Sequence, residues 1–323
     1  MDVAALLGVP ALDDDLPRVE RALHDAVRAA DPFMSEVAGH LAAAGGKRLR
    51  PALTVAAALA GGGRTSEEVV LGAVSVELVH LGSLYHDDVM DEADSRRGVE
   101  SVNSRWGNLV AILAGDFLLA KASEIAASLG TEVAGLLAAT IGRLCEGQVG
   151  ELRTAFNPAR TEAEYLESIA GKTASLMAAA CRIGAICAGL ERDAVDTMTE
   201  FGDAFGMAFQ IRDDVLDVTG TEATLGKPAG QDLVEGTYSL PLIRALATDG
   251  YGAELRALLG RPLDGPERDK ARDIVRGSGA IDGAVAVARS YADRAAAALG
   301  RLEGSPVAAG LAAAPHRLLD TLA

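Results

Sequence analysis

The chain has 323 residues, 49% of them hydrophobic but only 4% aromatic, so alanine and leucine must fill most of its core. That composition favours closely packed helices over a sheet, because aromatic and β-branched runs with a period of two are scarce. A formal net charge of −16 argues against a nucleic-acid surface, which is basic, and leaves room for a basic pocket.

Residues 1–10 lack a basic segment followed by a long apolar one, so no signal peptide is expected and the protein reads as cytoplasmic. Residues 13–41 carry an amphipathic helical pattern, with Leu16, Val19, Leu23 and Val27 at three- and four-residue steps. Gly45 and Gly46 break it. Lys47-Arg48-Leu49-Arg50-Pro51 follows, with Arg50 expected to be extended before proline and Pro51 suited to the first turn of the next helix. Three cations on a short turn make an anion site, with an ordinary basic loop as the alternative. Gly61, Gly62 and Gly63 end that helix. Thr65-Ser66-Glu67-Glu68 then predicts a capping box that opens a helix reaching Asp91.

That helix ends in a patch of charge. Asp87, Asp88 and Asp91 stand at i, i+1 and i+4, so Asp87 and Asp91 lie one above the other. Carboxylates stacked so closely repel unless a cation sits between them. Hard oxygen ligands suit Mg²⁺, which completes its shell with waters and substrate phosphates. Arg96 and Arg97 follow, and guanidinium forks match phosphate oxygens. For one such motif alone a solvated acidic helix end is the better reading.

A second copy changes the balance. Thr131 is expected to start a short helix after Gly130, and Thr161-Glu162-Ala163-Glu164 predicts a second capping box. The helix it opens carries Lys172 and Thr173 and runs towards Gly189. Its apolar stretch, 173–190, is interrupted by Arg182 and reads as a buried helix, so no transmembrane segment is expected. The next helix, 193–217, ends in Gln210-Ile211-Arg212-Asp213-Asp214-Val215-Leu216-Asp217, which repeats the spacing of the first motif. Two such patches can face each other across a cavity and hold a metal–diphosphate cluster. The glycines and proline of 225–233 predict a non-helical loop, and 238–323 reads as further helix. Cys145, Cys181 and Cys187 lack disulfide or zinc spacing and read as small core residues. With no linker or shift in composition, 1–323 is expected to form one all-α domain.

On these motifs and the Gly46-Lys47-Arg48-Leu49-Arg50-Pro51 stretch, the chain resembles the trans-isoprenyl diphosphate synthases, the polyprenyl synthetase family, over about residues 40–245. The resemblance implies an isoprenoid synthase fold, a helical bundle around a deep central cavity, and a homodimer. It implies a prenyltransferase that condenses isopentenyl diphosphate head-to-tail onto an allylic diphosphate, with Mg²⁺, three ions per active site. Asp87, Asp88 and Asp91 would bind metal from one wall, and Asp213, Asp214 and Asp217 from the other. Lys47, Arg50, His80 and Arg97 resemble the isopentenyl diphosphate site; Arg96, Lys172 and Lys227 resemble ligands of the allylic diphosphate. Thr173 and Gln210 match positions that stabilise the allylic cation, and Lys172, Thr173 and Gln210 together are the catalytic residues the resemblance implies. One departure is Thr237, where the family often has lysine after Glu235-Gly236. Asp116 also matches a recurrent family position, where a hydrogen-bonded structural role is expected.

Product length is read from the residues one to three turns before the first motif: Ser83, Val79 and Val76, spanning about 17 Å. Short-chain relatives place a bulky aromatic four or five residues before the motif. Here Ser83 and Gly82 stand there and block nothing. Gly82 costs about 1 kcal/mol in a helix, so either close helix packing or an open tunnel must favour it. The expectation is a long-chain product of about six or more isoprene units. A four-unit geranylgeranyl diphosphate synthase is the nearest alternative, followed by a terpene cyclase and a non-catalytic synthase subunit.

Overall fold

The computed structural model describes residues 2–221, 229–302 and 304–322. The all-α expectation holds. Helices follow one another along the chain, and among the described residues the β structure is one two-stranded hairpin. By internal packing the chain divides into two compact units, each drawn from three separated segments. The first takes Met1–Ile141, Leu176–Gly202 and Ala298–Ala313. The second takes Gly142–Ser175, Asp203–Ala297 and Ala314–Ala323.

The first unit opens with α1 (Val3–Leu7), α2 (Leu12–Ala26), α3 (Pro32–Ala43), α4 (Leu49–Ala60), α5 (Glu67–Met90), α6 (Val102–Trp106) and α7 (Asn108–Ser128). The single pattern expected over 13–41 is in fact two helices. Asp31 accepts hydrogen bonds from the Phe33 and Met34 amides, and Pro32 at the first helical position starts α3 afresh. Arg50 is not extended but lies inside α4. Pro51 still falls within the first turn, where a missing amide proton costs little.

α5 runs through the middle of this unit and is buried on nearly every side, as its all-round apolar sequence requires. Ser66 caps it, accepting from the Val69 amide, while Glu67 and Glu68 favour the positive helix start. Gly82 is explained by packing: a Cβ there would stand 3.0 Å from the Gly115 carbonyl oxygen of α7. It therefore says nothing for an open tunnel. Tyr85 is fully buried, and its hydroxyl donates to the Val37 carbonyl at 2.8 Å and accepts from the Leu41 amide at 3.3 Å. Beyond α5, Ser95–Arg96 pairs with Val99–Glu100 across a turn in which Arg97 and Gly98 both have positive φ. That hairpin folds the two arginines back next to the first acidic motif.

In the second unit, α8 (Thr131–Arg153), which begins in the first unit, is 23 residues long rather than short. The expected capping box at Thr161 and Glu164 is present and opens α9 (Glu162–Ile169). The helix does not continue regularly. Ala170–Ala174 forms a π-helical turn before α10 (Ser175–Cys187). At this turn two glycines let backbones touch: a Cβ on Gly147 would lie 2.4 Å from the Lys172 amide nitrogen, and one on Gly171 would lie 2.8 Å from the Arg143 carbonyl oxygen. α11 (Arg192–Thr219) carries the second motif into this unit, and Gln231–Glu235 is a short helix where a loop was expected. Two apolar clusters hold the unit together, one around Tyr238, Leu242 and Val275, the other around Tyr165, Ile211 and Ala288.

Two stretches, Glu67–Met90 and Glu162–Cys187, are long and apolar enough to cross a membrane, but 72% and 78% of their apolar windows are buried inside the protein. Of the cysteines, Cys181 is buried as expected, Cys187 is partly buried, and Cys145 is exposed rather than in a core.

Candidate active site

Each unit carries one acidic motif at the C-terminal end of a long helix, where the helix dipole disfavours negative charge. In the first unit Asp88 is fully buried, and its Oδ1 accepts from Arg96 Nε at 2.7 Å and Nη2 at 2.6 Å. Burial pushes its carboxyl above the usual range, and Arg96 opposes that. Its Oδ2 is buried with no hydrogen-bond partner. Asp87 is half-buried and Asp91 exposed, so these two offer oxygens outward.

Next to this motif lies a knot of cations around one carboxylate. Glu77, 2% exposed, receives Arg48 at 3.0 Å and has Arg97 at 3.9 Å. Burial pushes Glu77 upward, while the guanidiniums of Arg48, Arg50 and Arg97 pull it down. Arg48, one of the three cations read as an anion site, is turned inward instead and is pinned as well by Glu20 and the Ala42 carbonyl. Arg97 donates to the carbonyls of Leu41 and Gly45, fastening the hairpin to the loop that presents Lys47. His80 completes the group; burial, then the charges of Arg50, Arg97 and Arg96, hold its imidazole well below the usual histidine range. The structure thus gathers Arg50, His80 and Arg97, with Lys47 exposed on the adjoining loop. Asp116 is not a buried anchor: it is 64% exposed and reaches His86 Nε2 at 3.4 Å.

In the second unit Asp213 is outward, 37% exposed, and bonded to Arg212 at 2.7 Å, whereas Asp214 and Asp217 are buried. Asp214 Oδ1 accepts from Gln210 Nε2 at 2.8 Å and Oδ2 from the Tyr165 hydroxyl at 2.5 Å. Burial raises its carboxyl to about 7 against the pull of those two hydrogen bonds. Thr173 Oγ1 donates to Gln210 Oε1 at 2.8 Å, so the two predicted cation-stabilising groups are in contact. Lys172 Nζ pairs with Glu151 at 2.5 Å. Past the motif, Arg272 and Arg276 donate to the carbonyls of Val218, Thr219 and Gly220, neutralising the helix end. Lys227 lies outside the described residues. Thr237 is half-buried after the left-handed Gly236, its amide bonded to the Asp232 carbonyl. A cavity of about 650 Å³ between α8 and α9 is lined by Arg143, Gly147, Thr154 and Glu167 and by none of the predicted site residues.

Reading the sequence for motifs missed Glu77, Glu151 and Tyr165. Glu77 left a signal, since a lone carboxylate inside an apolar helical run is costly unless paired. Tyr165 and Glu151 left none in their own neighbourhood, because their partners are 49 and 21 residues away.

The donor set fits a divalent cation: hard carboxylate oxygens at two negative helix ends, and a buried Asp88 oxygen with no protein partner. Among the described residues no three acidic, histidine or cysteine side chains close into a protein-only cage, as suits an ion that keeps waters and phosphates in its shell.

Residues 31–275 match the polyprenyl synthetase family, and the chain belongs to it. It is 39% identical over 315 residues to the nonaprenyl diphosphate synthase of Mycobacterium tuberculosis (strain H37Rv), covering 97% of this chain and 94% of that protein. It is 40% identical over 305 residues to component 2 of the heptaprenyl diphosphate synthase of Geobacillus stearothermophilus, covering 92% and 91%. The crystal structure of a polyprenyl synthase from Caulobacter crescentus CB15, in complex with calcium and isoprenyl diphosphate, superposes with a TM-score of 0.92 at 36% identity over 98% of this chain and 97% of that one.

Proposed function

We infer that this protein is a long-chain trans-polyprenyl diphosphate synthase that condenses isopentenyl diphosphate head-to-tail onto an allylic diphosphate. The observation that carries the reading is the repeated arrangement in the two units. In each, a core helix ends in an acidic motif whose inner carboxylate is buried and pinned, while an outer one faces outward. The named relatives, a nonaprenyl and a heptaprenyl synthase, support the long product.

Breaking the C1–oxygen bond of an allylic diphosphate leaves a trianionic leaving group and a delocalised cation. Mg²⁺, for which Asp87 and Asp91 of the first motif and Asp213 of the second offer carboxylate ligands, would supply charge neutralisation for that leaving group. Lys172 adds positive charge, with Glu151 holding its ammonium in place. Arg50, His80 and Arg97, with Lys47, form the anion site for isopentenyl diphosphate, and His80, kept neutral by burial, donates a hydrogen bond rather than charge. Thr173 and Gln210 offer neutral dipoles to the cation where water would capture it. The released diphosphate takes the proton that restores the new double bond.

Ser83 is half-buried, its hydroxyl bonded to the His80 carbonyl, while Val79 and Val76 are fully buried one and two turns further back. With Gly82 accounted for by packing, Ser83 is the one of these two positions that still bears on chain length. Ser83→Phe should shorten the product by two or more isoprene units while leaving the first condensation active, as resolved by chromatography of the dephosphorylated products. An unchanged product distribution would remove Ser83 from the tail's path.

The assembly we propose is a homodimer. α7 exposes Leu109 (79%), Ile112 (41%) and Leu113 (60%) on neighbouring turns, an apolar stripe. The component 2 relative gives a second reading, a partner of different sequence on that stripe. Light scattering decides: a dimer of the chain alone that Leu113→Glu converts to monomer supports the first reading, and a wild-type monomer supports the second.

A further inference from the structure

Tyr165 and Arg160 have no part in the scheme above, yet both are deeply buried next to the second acidic motif. Tyr165 is 2% and Arg160 4% exposed. The Arg160 guanidinium lies 5.6 Å from the Tyr165 ring centroid and donates to the Tyr238 carbonyl at 3.0 Å, while its Nε and Nη2 are buried without hydrogen-bond partners. Arg160 therefore backs the Tyr165 ring with its guanidinium while its bond to the Tyr238 carbonyl holds it there.

The hydrogen bonds run in one direction along this string. Gln210 turns its amide NH₂ to Asp214 Oδ1, which leaves its carbonyl for Thr173. The Thr173 hydroxyl must therefore spend its proton on Gln210 and keep its lone pairs free. The Tyr165 hydroxyl, donating to the other Asp214 oxygen, completes the string and fixes the plane of that carboxylate. Resting on the synthase reading, we propose that Tyr165, Asp214 and Arg160 are positioning residues. They orient the Gln210–Thr173 pair so that oxygen lone pairs, never a proton, face the allylic cation, and Asp214 serves this string rather than binding metal directly. A dipole pointing the wrong way would oppose the developing positive charge, so the string bears on turnover more than on binding.

The test uses the full chain and two variants, Tyr165→Phe and Asp214→Asn. Mn²⁺ binding is measured by electron paramagnetic resonance without substrate, alongside steady-state kinetics. The expected result is a kcat about tenfold or more below wild type in both, with the Mn²⁺ dissociation constant and the KM for isopentenyl diphosphate within about twofold. Wild-type kcat in Tyr165→Phe would overturn the proposal. So would a tenfold weakening of Mn²⁺ binding in Asp214→Asn, which would make Asp214 a metal ligand. If Tyr165→Phe loses its helical circular dichroism, Asp214→Asn decides alone. A wild-type protein that transfers no prenyl group to any allylic primer would overturn the synthase reading and this proposal with it, an outcome the other two do not produce.

Discussion

Asp87→Ala is expected to lower kcat by about 10³-fold, the scale on which removing one preorganised stabiliser of transition-state charge acts. Asp87 is an outward carboxylate of the first motif, one helical turn from Asp91, at the negative end of α5. Its neighbour Asp88 is fully buried with one oxygen held by Arg96, so it cannot turn outward into Asp87's place without breaking that pair. Stability should move the other way. Three carboxylates crowd a helix C-terminus, and removing one relieves repulsion of about 0.3–1 kcal/mol in metal-free buffer. A variant slower by three orders of magnitude, yet melting no lower than wild type without divalent cations, would carry the signature of a functional carboxylate. Lost stability with little change in rate would instead make Asp87 structural.

Arg48→Ala is expected to destabilise the fold by about 3–5 kcal/mol, the cost of leaving a buried charge without its partner. Arg48 is 9% and Glu77 2% exposed, and the guanidinium is also hydrogen-bonded to Glu20 and the Ala42 carbonyl. Urea unfolding of the variant measures the loss. Arg48→Met combined with Glu77→Leu should recover most of it, because the buried Glu77 charge goes with its partner and Glu20, 36% exposed, is left to water. The double variant should nonetheless bind isopentenyl diphosphate more weakly, since Glu77 also faces the Arg97 guanidinium at 3.9 Å. A single variant as stable as wild type would show that water reaches Glu77.

Much of this arrangement was legible in the sequence, and the reasons differ by residue. The all-α class follows from composition, and the helix starts at Ser66 and Thr161 follow from short-range capping chemistry that four residues specify. The two acidic motifs were legible because their spacing is helical and local. The break at Asp31–Pro32 was written in the sequence too, but the apolar period on either side masked it. Gly82 was ambiguous in one dimension, because helix packing and an open passage both favour glycine, and the Gly115 carbonyl decides between them. The π-helical turn at Ala170–Ala174 depends on a backbone contact between Gly147 and Gly171, which no local pattern encodes. The partners of Asp214, Lys172 and Arg48 are likewise long-range pairs, formed by the packing of helices far apart in sequence.

The central claim is tested most directly by incubating the purified protein with Mg²⁺, isopentenyl diphosphate and farnesyl diphosphate, then resolving the dephosphorylated products by chain length. All-trans products of about six or more isoprene units are the predicted result. A product that stops at four units, or no elongation of any allylic primer, would contradict it.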